Sequence, residues 1–130
     1  MSANIFFKKA FLFLESAEKD FSIGLYLKVI SSCWFSLEML IRGILITRFG
    51  GAPRKEGALL SRFSDLLKKL NIMDWKSIIS QLKLIYIMRI QVDHQNLIPD
   101  EKQANDILVT TRKLFKRLIN LFNLNNLVFL

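Results

Sequence analysis

The apolar residues of this 130-residue chain recur at alternating spacings of three and four, the pattern of amphipathic α-helices. Such stretches predict helices at about residues 2–19, 22–48, 56–70 and 75–93, and a fifth that starts near residues 99–101. No stretch alternates convincingly as a β-strand does. The pattern therefore predicts an all-α fold, an up-and-down bundle of four to five helices with short connections.

The connections carry residues that begin and end helices. Ser2 and Asp74 have side chains that favour helix N-termini, and Gly50-Gly51 favours a helix end. No linker is long enough to divide the chain, so one domain is expected over residues 1–119. The tail, residues 120–130, alternates asparagine with large apolar residues, and a last helical turn, a frayed end or a partner-bound end would fit it.

Composition and charge add expectations about partners. Hydrophobic residues make up 52% of the chain, and this surplus of apolar surface favours a homodimer. The formal net charge of +8 favours a polyanionic partner such as RNA, although solubility alone also explains it. Basic residues crowd the outer side of the fifth helix: Arg112, Lys113, Lys116 and Arg117. They form either a solvated face or a track that binds RNA phosphates.

The lone cysteine and the most apolar stretch bear on where the protein is found. Cys33 lies in an apolar run, which is typical of a small core residue in a reducing compartment. Charged residues interrupt the apolar stretch 21–49, so no uncharged window approaches the roughly 20 residues of a membrane span. We therefore expect a cytoplasmic protein without a membrane segment.

A single charge breaks the apolar stripe of the predicted fourth helix. The stripe runs through Trp75, Ile78, Leu82, Ile85, Arg89 and Val92. A guanidinium is almost never buried without a partner. Arg89 therefore either binds a carboxylate, with Asp93 one turn away as the simplest candidate, or lies where the stripe opens onto a cleft or a second subunit.

His94, the only histidine, follows Arg89 by five residues. On a continuing helix this separation turns His94 about 140° away from Arg89, which places it at the rim of the bundle or past the helix end. A histidine can act as acid or base near neutral pH, and a guanidinium can bind two phosphate oxygens. Together they could cleave RNA without a metal. The simpler interpretation, an intrahelical ion pair beside a surface histidine, stays open.

The sequence offers no residues for a metal or a cofactor. It has no Cys-x-x-Cys pair and no Cys/His cluster for zinc. Gly50-Gly51 lacks the lysine–serine partner of a nucleotide-binding loop. We therefore expect neither a metal nor a cofactor.

Several motifs occur in an order found in one known family. Gly24-Leu25-Tyr26 precedes the long second helix, which carries an acid and a base four residues apart, Glu38 and Arg42, that can pair on the surface of this helix. The fourth helix ends in Tyr86-Ile87-Met88-Arg89, followed by Asp93-His94. Over about residues 5–118 this arrangement resembles a HEPN domain, a small helical module.

The resemblance implies a function and a site. Active HEPN domains are typically metal-independent ribonucleases that work as dimers, and many are toxins encoded beside a small nucleotidyltransferase antitoxin. By this likeness Arg89 and His94 would be catalytic. Four residues would support them: Asp93, Glu38, Arg42 and Tyr86. Other members are catalytically inert binding partners of a nucleotidyltransferase, and a purely structural dimerisation domain is a third alternative.

Overall fold

In a computed structural model, residues 2–125 are described, and they fold into five α-helices with no strand among them. The helices are α1 Ala3–Ser22, α2 Tyr26–Phe49, α3 Glu56–Lys69, α4 Trp75–His94 and α5 Glu101–Leu121. The all-α bundle expected from the apolar periodicity is therefore confirmed.

The turn between the first two helices lies later than the apolar pattern predicted. Helix α1 continues to Ser22, and α2 begins only at Tyr26. Between them Gly24 adopts a φ of 78°, a left-handed conformation that costs a glycine little. The apolar pattern could not place this turn, because Phe21 and Tyr26 on either side of it both pack against the core.

Of the two residues predicted to cap helices, Ser2 does so and Asp74 does not. The Ser2 hydroxyl accepts a hydrogen bond from the backbone N–H of Asn4 at 3.3 Å, so its capping role at α1 is confirmed. Asp74 directly precedes α4, but its side chain makes no capping hydrogen bond. It binds Arg117 of α5 instead, at 2.9 Å. A charge-assisted pair with a guanidinium competes with a neutral backbone donor for the same carboxylate.

Helix α2 is the centre of the bundle and packs against each of the other four helices. Its fully buried side chains include Ile30, Cys33, Trp34, Leu37, Ile41 and Leu45. Burial raises the pKa of the Cys33 thiol to about 12, so this cysteine is a core residue that stays protonated. The wide apolar face of α2 therefore reflects its central position.

By length and composition alone, α2 is also apolar enough to cross a membrane. In the bundle, 67% of its apolar window is buried, as in the core helix of a soluble protein. It also carries a charged pair, Glu38 and Arg42. The fold thus has the character of a soluble helical domain, whereas the cytoplasmic location stays a prediction.

The end of α5 lies close to the predicted end of the domain. The helix ends at Leu121, two residues beyond residue 119. After it, Phe122 packs against Phe63 of α3 with ring centroids 6.0 Å apart. Residues 126–130 of the predicted tail lie outside the described residues, and the division of the chain at residue 119 stays a prediction.

Candidate functional site

The guanidinium of Arg89 lies between two carboxylates. Its Nη1 is 3.2 Å from Glu56 Oε1 on α3, and its Nε is 2.8 Å from Asp93 Oδ2 on α4. The Nε–H makes no hydrogen bond among the described residues, so the Asp93 contact is an ion pair with a poorly aligned donor. The Phe35 ring centroid lies 5.1 Å from the guanidinium carbon. Of the alternatives that the apolar stripe allowed for Arg89, the carboxylate is therefore the one observed.

Glu56 joins three helices at this point. It is the first residue of α3, and its carboxylate accepts hydrogen bonds from the Trp34 indole on α2 and from Arg89 on α4. Sequence reasoning missed Glu56, because the helix dipole already explains an acid in the first turn of a helix. The available signal was Trp34, since a buried indole N–H requires an acceptor.

The Glu38–Arg42 pair is buried, and the prediction that it lies on the surface of α2 is wrong. The Arg42 Nε–H donates to Glu38 at 2.9 Å, with only 13% and 10% of the Arg42 and Glu38 side chains exposed. The other guanidinium nitrogens of Arg42 donate to the carbonyls of Pro53 and Arg54 at 2.5 and 2.8 Å. Arg42 thereby ties the loop before α3 to α2. Helical spacing could not show this burial, because a loop from elsewhere in the chain produces it.

Glu38 connects its pair to the Arg89 contacts. Burial raises the pKa of Glu38 above its ordinary value, Arg42 offsets part of the rise, and the neighbouring Glu56 carboxylate adds to it. The two acids are thus close enough to interact. We use the name charged network for Glu38, Arg42, Glu56, Arg89 and Asp93, in which two arginines face three carboxylates.

Asp93 has partners on two helices. Its Oδ1 accepts a hydrogen bond from the Ser31 hydroxyl of α2 at 3.0 Å, and its Oδ2 faces Arg89. A shallow cleft of about 230 Å³ lies beside it between α2 and α4, lined also by Asp20 and Lys28. Asp93 was predicted to bind Arg89 and, by the family resemblance, to support Arg89 and His94. The contact with Arg89 is present, and the described structure has no hydrogen bond or ion pair between the side chains of Asp93 and His94.

His94 is the last residue of α4, and its side chain is exposed. In residues 2–125 it has no hydrogen-bond or ion-pair partner. It lies five residues beyond Arg89 on a continuous helix, so the two side chains leave different faces of that helix end. A single chain therefore places both predicted catalytic residues at the end of α4 without bringing their side chains together.

Tyr86, the remaining predicted supporting residue, lies next to the charged network. Its ring centroid is 5.0 Å from that of Trp34, the residue that donates to Glu56. It also lines a cleft of about 370 Å³ between α3 and α4, together with Gly57 and Lys83. In the described chain Tyr86 thus contacts the network through the Trp34 ring.

Two of the four basic residues predicted to bind RNA are paired with acids of neighbouring segments. Arg112 makes a bidentate contact with Glu18 of α1. Arg117 binds Asp74, which precedes α4, at 2.9 and 3.3 Å. Hydrogen bonds from these arginines lower the pKa values of both carboxylates. Much of the charge of the two arginines is therefore neutralised within the protein.

The two lysines of the same face, unlike the two arginines, are not paired with acids of the described structure. Lys113 and Lys116 are exposed, and neither has a partner within residues 2–125. A solvated lysine is free to meet a phosphate, whereas a paired arginine must first leave its carboxylate. The predicted phosphate track therefore consists of two available and two engaged cations.

No group of three or more His, Cys, Asp or Glu residues that could hold a metal occurs in the described part of the chain. The acids of the charged network already face arginines, an arrangement suited to ion pairs rather than to a divalent cation. The absence of a cofactor stays a prediction.

One comparison with known proteins gives a match. A family model described as HEPN domain matches residues 3–121, a span that includes all five helices. No curated protein matches the chain. The family suggested by the order of the motifs is therefore confirmed.

Proposed function

The chain belongs to the HEPN domain family, and from that premise we propose that it is a metal-independent endoribonuclease that works as a homodimer. In this proposal it is the toxin component of a toxin–antitoxin pair, and its antitoxin is a nucleotidyltransferase. Arg89 and His94 are the catalytic residues, and RNA is the substrate.

The observation that carries the proposal is the partly buried Arg89 of α4 beside an exposed histidine at the end of the same helix. Only 16% of the Arg89 side chain is exposed, and its position is fixed by contacts to Glu56 and Asp93. Its Nη2 makes no hydrogen bond within residues 2–125. A held guanidinium with an unused nitrogen, and an unpaired histidine nearby, are the two kinds of group that RNA cleavage without a metal requires.

The chemistry follows from these two groups. A histidine takes the proton from the ribose 2′-hydroxyl, which attacks the adjacent phosphorus. A guanidinium stabilises the negative charge of the pentacoordinate phosphorane. A second histidine donates a proton to the 5′-oxygen as the bond to phosphorus breaks, which leaves a 2′,3′-cyclic phosphate. One chain supplies one histidine, so the full set requires two copies.

Exposed apolar side chains on α4 support the assembly of two copies. Leu84 and Ile87 are 54% and 52% exposed, and they precede Arg89 on the same helix. Such side chains lose their contact with water when two identical faces meet. A two-fold dimer through α4 would bring both copies of Arg89 and His94 towards one site.

Sedimentation of the purified chain tests the assembly. A dimer at tens of micromolar is the expected result, and Leu84→Lys with Ile87→Lys should convert it to a monomer, since each buried charge opposes association. A wild-type protein that remains monomeric at that concentration would contradict the composite site.

RNA cleavage tests the activity. His94→Ala and Arg89→Ala should each lower the cleavage rate by at least about a hundredfold, the lower limit for loss of a general acid or base. Gln95→Ala, an exposed neighbour on the same segment, is the matched control and should cleave as the wild type does. EDTA should have no effect, and the product should carry a 2′,3′-cyclic phosphate. Cleavage that survives in both mutants, or a wild type that cleaves nothing, would contradict the proposal.

One observation favours a second candidate function, a catalytically inert module that binds a nucleotidyltransferase. Both carboxylates beside Arg89 can be explained by structure alone, because a buried guanidinium needs such partners in any protein. In this case the exposed apolar face of α4 binds the partner chain. Copurification with a nucleotidyltransferase, together with no cleavage of RNA, would favour this alternative.

A further inference from the structure

The contacts of Arg89 compete with the role that the proposed function gives it. Phosphate binding by a guanidinium commonly uses two of its nitrogens. In this structure Nε lies beside Asp93, Nη1 is bonded to Glu56, and one face lies over Phe35. Nη2 makes no hydrogen bond to any of the described residues. A phosphate that binds through two nitrogens must therefore either share Nη1 or Nε with the carboxylate already beside it or displace that carboxylate.

The charge of the surroundings adds to this competition. The charged network holds two arginines and three carboxylates, so its formal charge is negative when every acid is ionised. A phosphate near Arg89 would meet that excess of negative charge. Binding is then opposed by like-charge repulsion, which is costly at a partly buried site.

Glu56 is the carboxylate whose contact with Arg89 is the more readily broken. Asp93 lies on the same helix as Arg89, at 2.8 Å, and Ser31 also holds it in place. Glu56 belongs to a different helix, and its distance to Arg89 is the longer one, at 3.2 Å. It is the first residue of α3 and follows a loop, so it can separate from Arg89 without unwinding α4.

We infer that Glu56 controls phosphate binding at Arg89: its carboxylate holds the guanidinium in a closed state and is exchanged for a phosphate of RNA. This inference rests on the proposed function, because it concerns the same arginine. Trp34 reports the exchange, since its indole N–H donates to the same carboxylate. Glu56 is thus a positioning residue that sets the availability of Arg89.

The first experiment measures binding without cleavage. A short 2′-O-methyl oligoribonucleotide has phosphates but no free 2′-hydroxyl, so it can be bound and not cut. Glu56→Gln keeps an oxygen that can accept from Trp34 and removes the charge beside Arg89. We expect this variant to bind the oligonucleotide about tenfold more tightly than the wild type, because one like charge is removed. Glu101→Gln, an exposed acid in the first turn of α5, is the control for the same change in net charge.

Two results of this binding experiment would overturn the inference. One is that Glu56→Gln binds no more tightly than Glu101→Gln. The other is that its gain persists when Arg89→Gln is added, because the gain must then come from another site. The combination Glu56→Gln/Arg89→Gln should return to the affinity of Arg89→Gln alone.

The second experiment follows Trp34 directly and needs no change at Glu56. Trp75→Phe leaves Trp34 as the tryptophan of the chain, and this background should show a change in Trp34 emission when the oligonucleotide binds. The change is expected because the indole loses its charged acceptor. Binding that leaves Trp34 emission unaltered would overturn the inference, even if Glu56→Gln does not fold.

The outcomes distinguish this inference from the proposed function. A wild type that cleaves RNA, with no gain in Glu56→Gln and no Trp34 change, would overturn the role of Glu56 alone. If no variant cleaves RNA, but Glu56→Gln binds more tightly through Arg89 and Trp34 responds, then the ribonuclease proposal fails and the role of Glu56 is supported.

Discussion

The two sides of α2 are built from different interactions. On the side of α1, Gly43 lets the helices approach closely, and the Phe7 ring is buried against it. On the side of α3 and α4, the bundle encloses the charged network. Apolar burial stabilises the folded state directly, whereas the attraction within a buried ion pair is largely offset by the loss of hydration. We therefore expect the α1 side to contribute most of the stability of the fold. The side of α3 and α4 contributes charged contacts that can be exchanged.

The largest expected effect on stability comes from disturbing the apolar side. A Cβ added at Gly43 would lie 2.5 Å from Phe7 Cε1 and 2.8 Å from Cδ1, closer than real Cβ contacts. Phe7 is only 3% exposed, so the residues packed around it oppose a shift of its ring. Gly43→Ala should therefore lower the free energy of unfolding by about 2 kcal/mol, as overpacking does. Urea unfolding measures this change.

Gly57 provides the control for that prediction. It lies in the first turn of α3, and a Cβ there would meet no atom within 4 Å. Gly57→Ala should raise the free energy of unfolding by roughly 0.5 kcal/mol, because alanine loses less conformational entropy in a helix. Equal effects of the two substitutions would break the comparison, since they would show that close packing at Gly43 does not matter.

A smaller effect is expected when single cations of α5 are removed. If this face binds RNA phosphates, Lys113→Ala and Lys116→Ala should each flatten the dependence of log K on log salt concentration by about one unit. Arg112→Ala and Arg117→Ala should flatten it less, because Glu18 and Asp74 already neutralise these charges. Filter binding or fluorescence anisotropy at several salt concentrations gives the slopes.

The control for these slopes is Lys102→Ala, at the start of the same helix. Lys102 pairs with Asp106 at 3.1 Å, so it belongs to the engaged class of cations. For Lys102→Ala, the slope of log K against log salt concentration should match that of the wild type. If all five variants give the wild-type slope, the cluster is a solvated face and does not bind phosphates.

The smallest expected effects concern the dependence of stability on pH, which has opposite signs for Glu18 and Glu38. Arg112 lowers the pKa of Glu18 below its ordinary 4.5, so the stability from Glu18 is present above pH 4.5 and is lost as the pH falls through the lowered pKa. Burial raises the pKa of Glu38, so its contribution is complete below pH 4.5 and is lost as the pH rises through the raised pKa.

Substitution of each acid tests these signs. Glu18→Gln should reduce the loss of stability in acid by about 0.3 kcal/mol, a small value because water screens a pair whose side chains are 46% and 41% exposed. Glu38→Gln should reduce the fall of stability above pH 4.5. Unfolding curves between pH 3 and pH 8 measure both. Two variants that change the profile in the same direction would contradict the contrast between the two sides.

Much of the fold could be predicted from the sequence because helices are encoded locally. Apolar spacing gave the five helices, and Ser2 gave the start of the first. The turn at Gly24 was misplaced, since apolar residues continue on both sides of it. Asp74 was predicted to cap α4, but its side chain pairs with Arg117 instead. Arg117 lies 43 residues later, so a rule based on neighbouring residues could not predict this pair.

The candidate site was predictable in part. Arg89 was singled out because a charge inside an apolar stripe conflicts with burial, and Asp93 is one turn away. Glu56 was missed because its position at a helix start is ordinary, and nothing near it in the sequence requires its contact with Arg89, 33 residues later. The Glu38–Arg42 pair was expected on the surface, because spacing of four on a helix gives the pairing and not the exposure.

The sequence by itself therefore determined the helices, the family and the two residues at the end of α4, since each depends on short-range periodicity or on motif order. Only the tertiary structure decided which charges are buried and with which partners. Those contacts join α2, α3 and α4 through residues that are far apart in the sequence. Trp34 and Glu56 are 22 residues apart, and Ser31 and Asp93 are 62 residues apart. A carboxylate gains or loses a guanidinium partner when whole helices pack, and that packing reflects the apolar core of the entire bundle rather than the neighbours of any one acid.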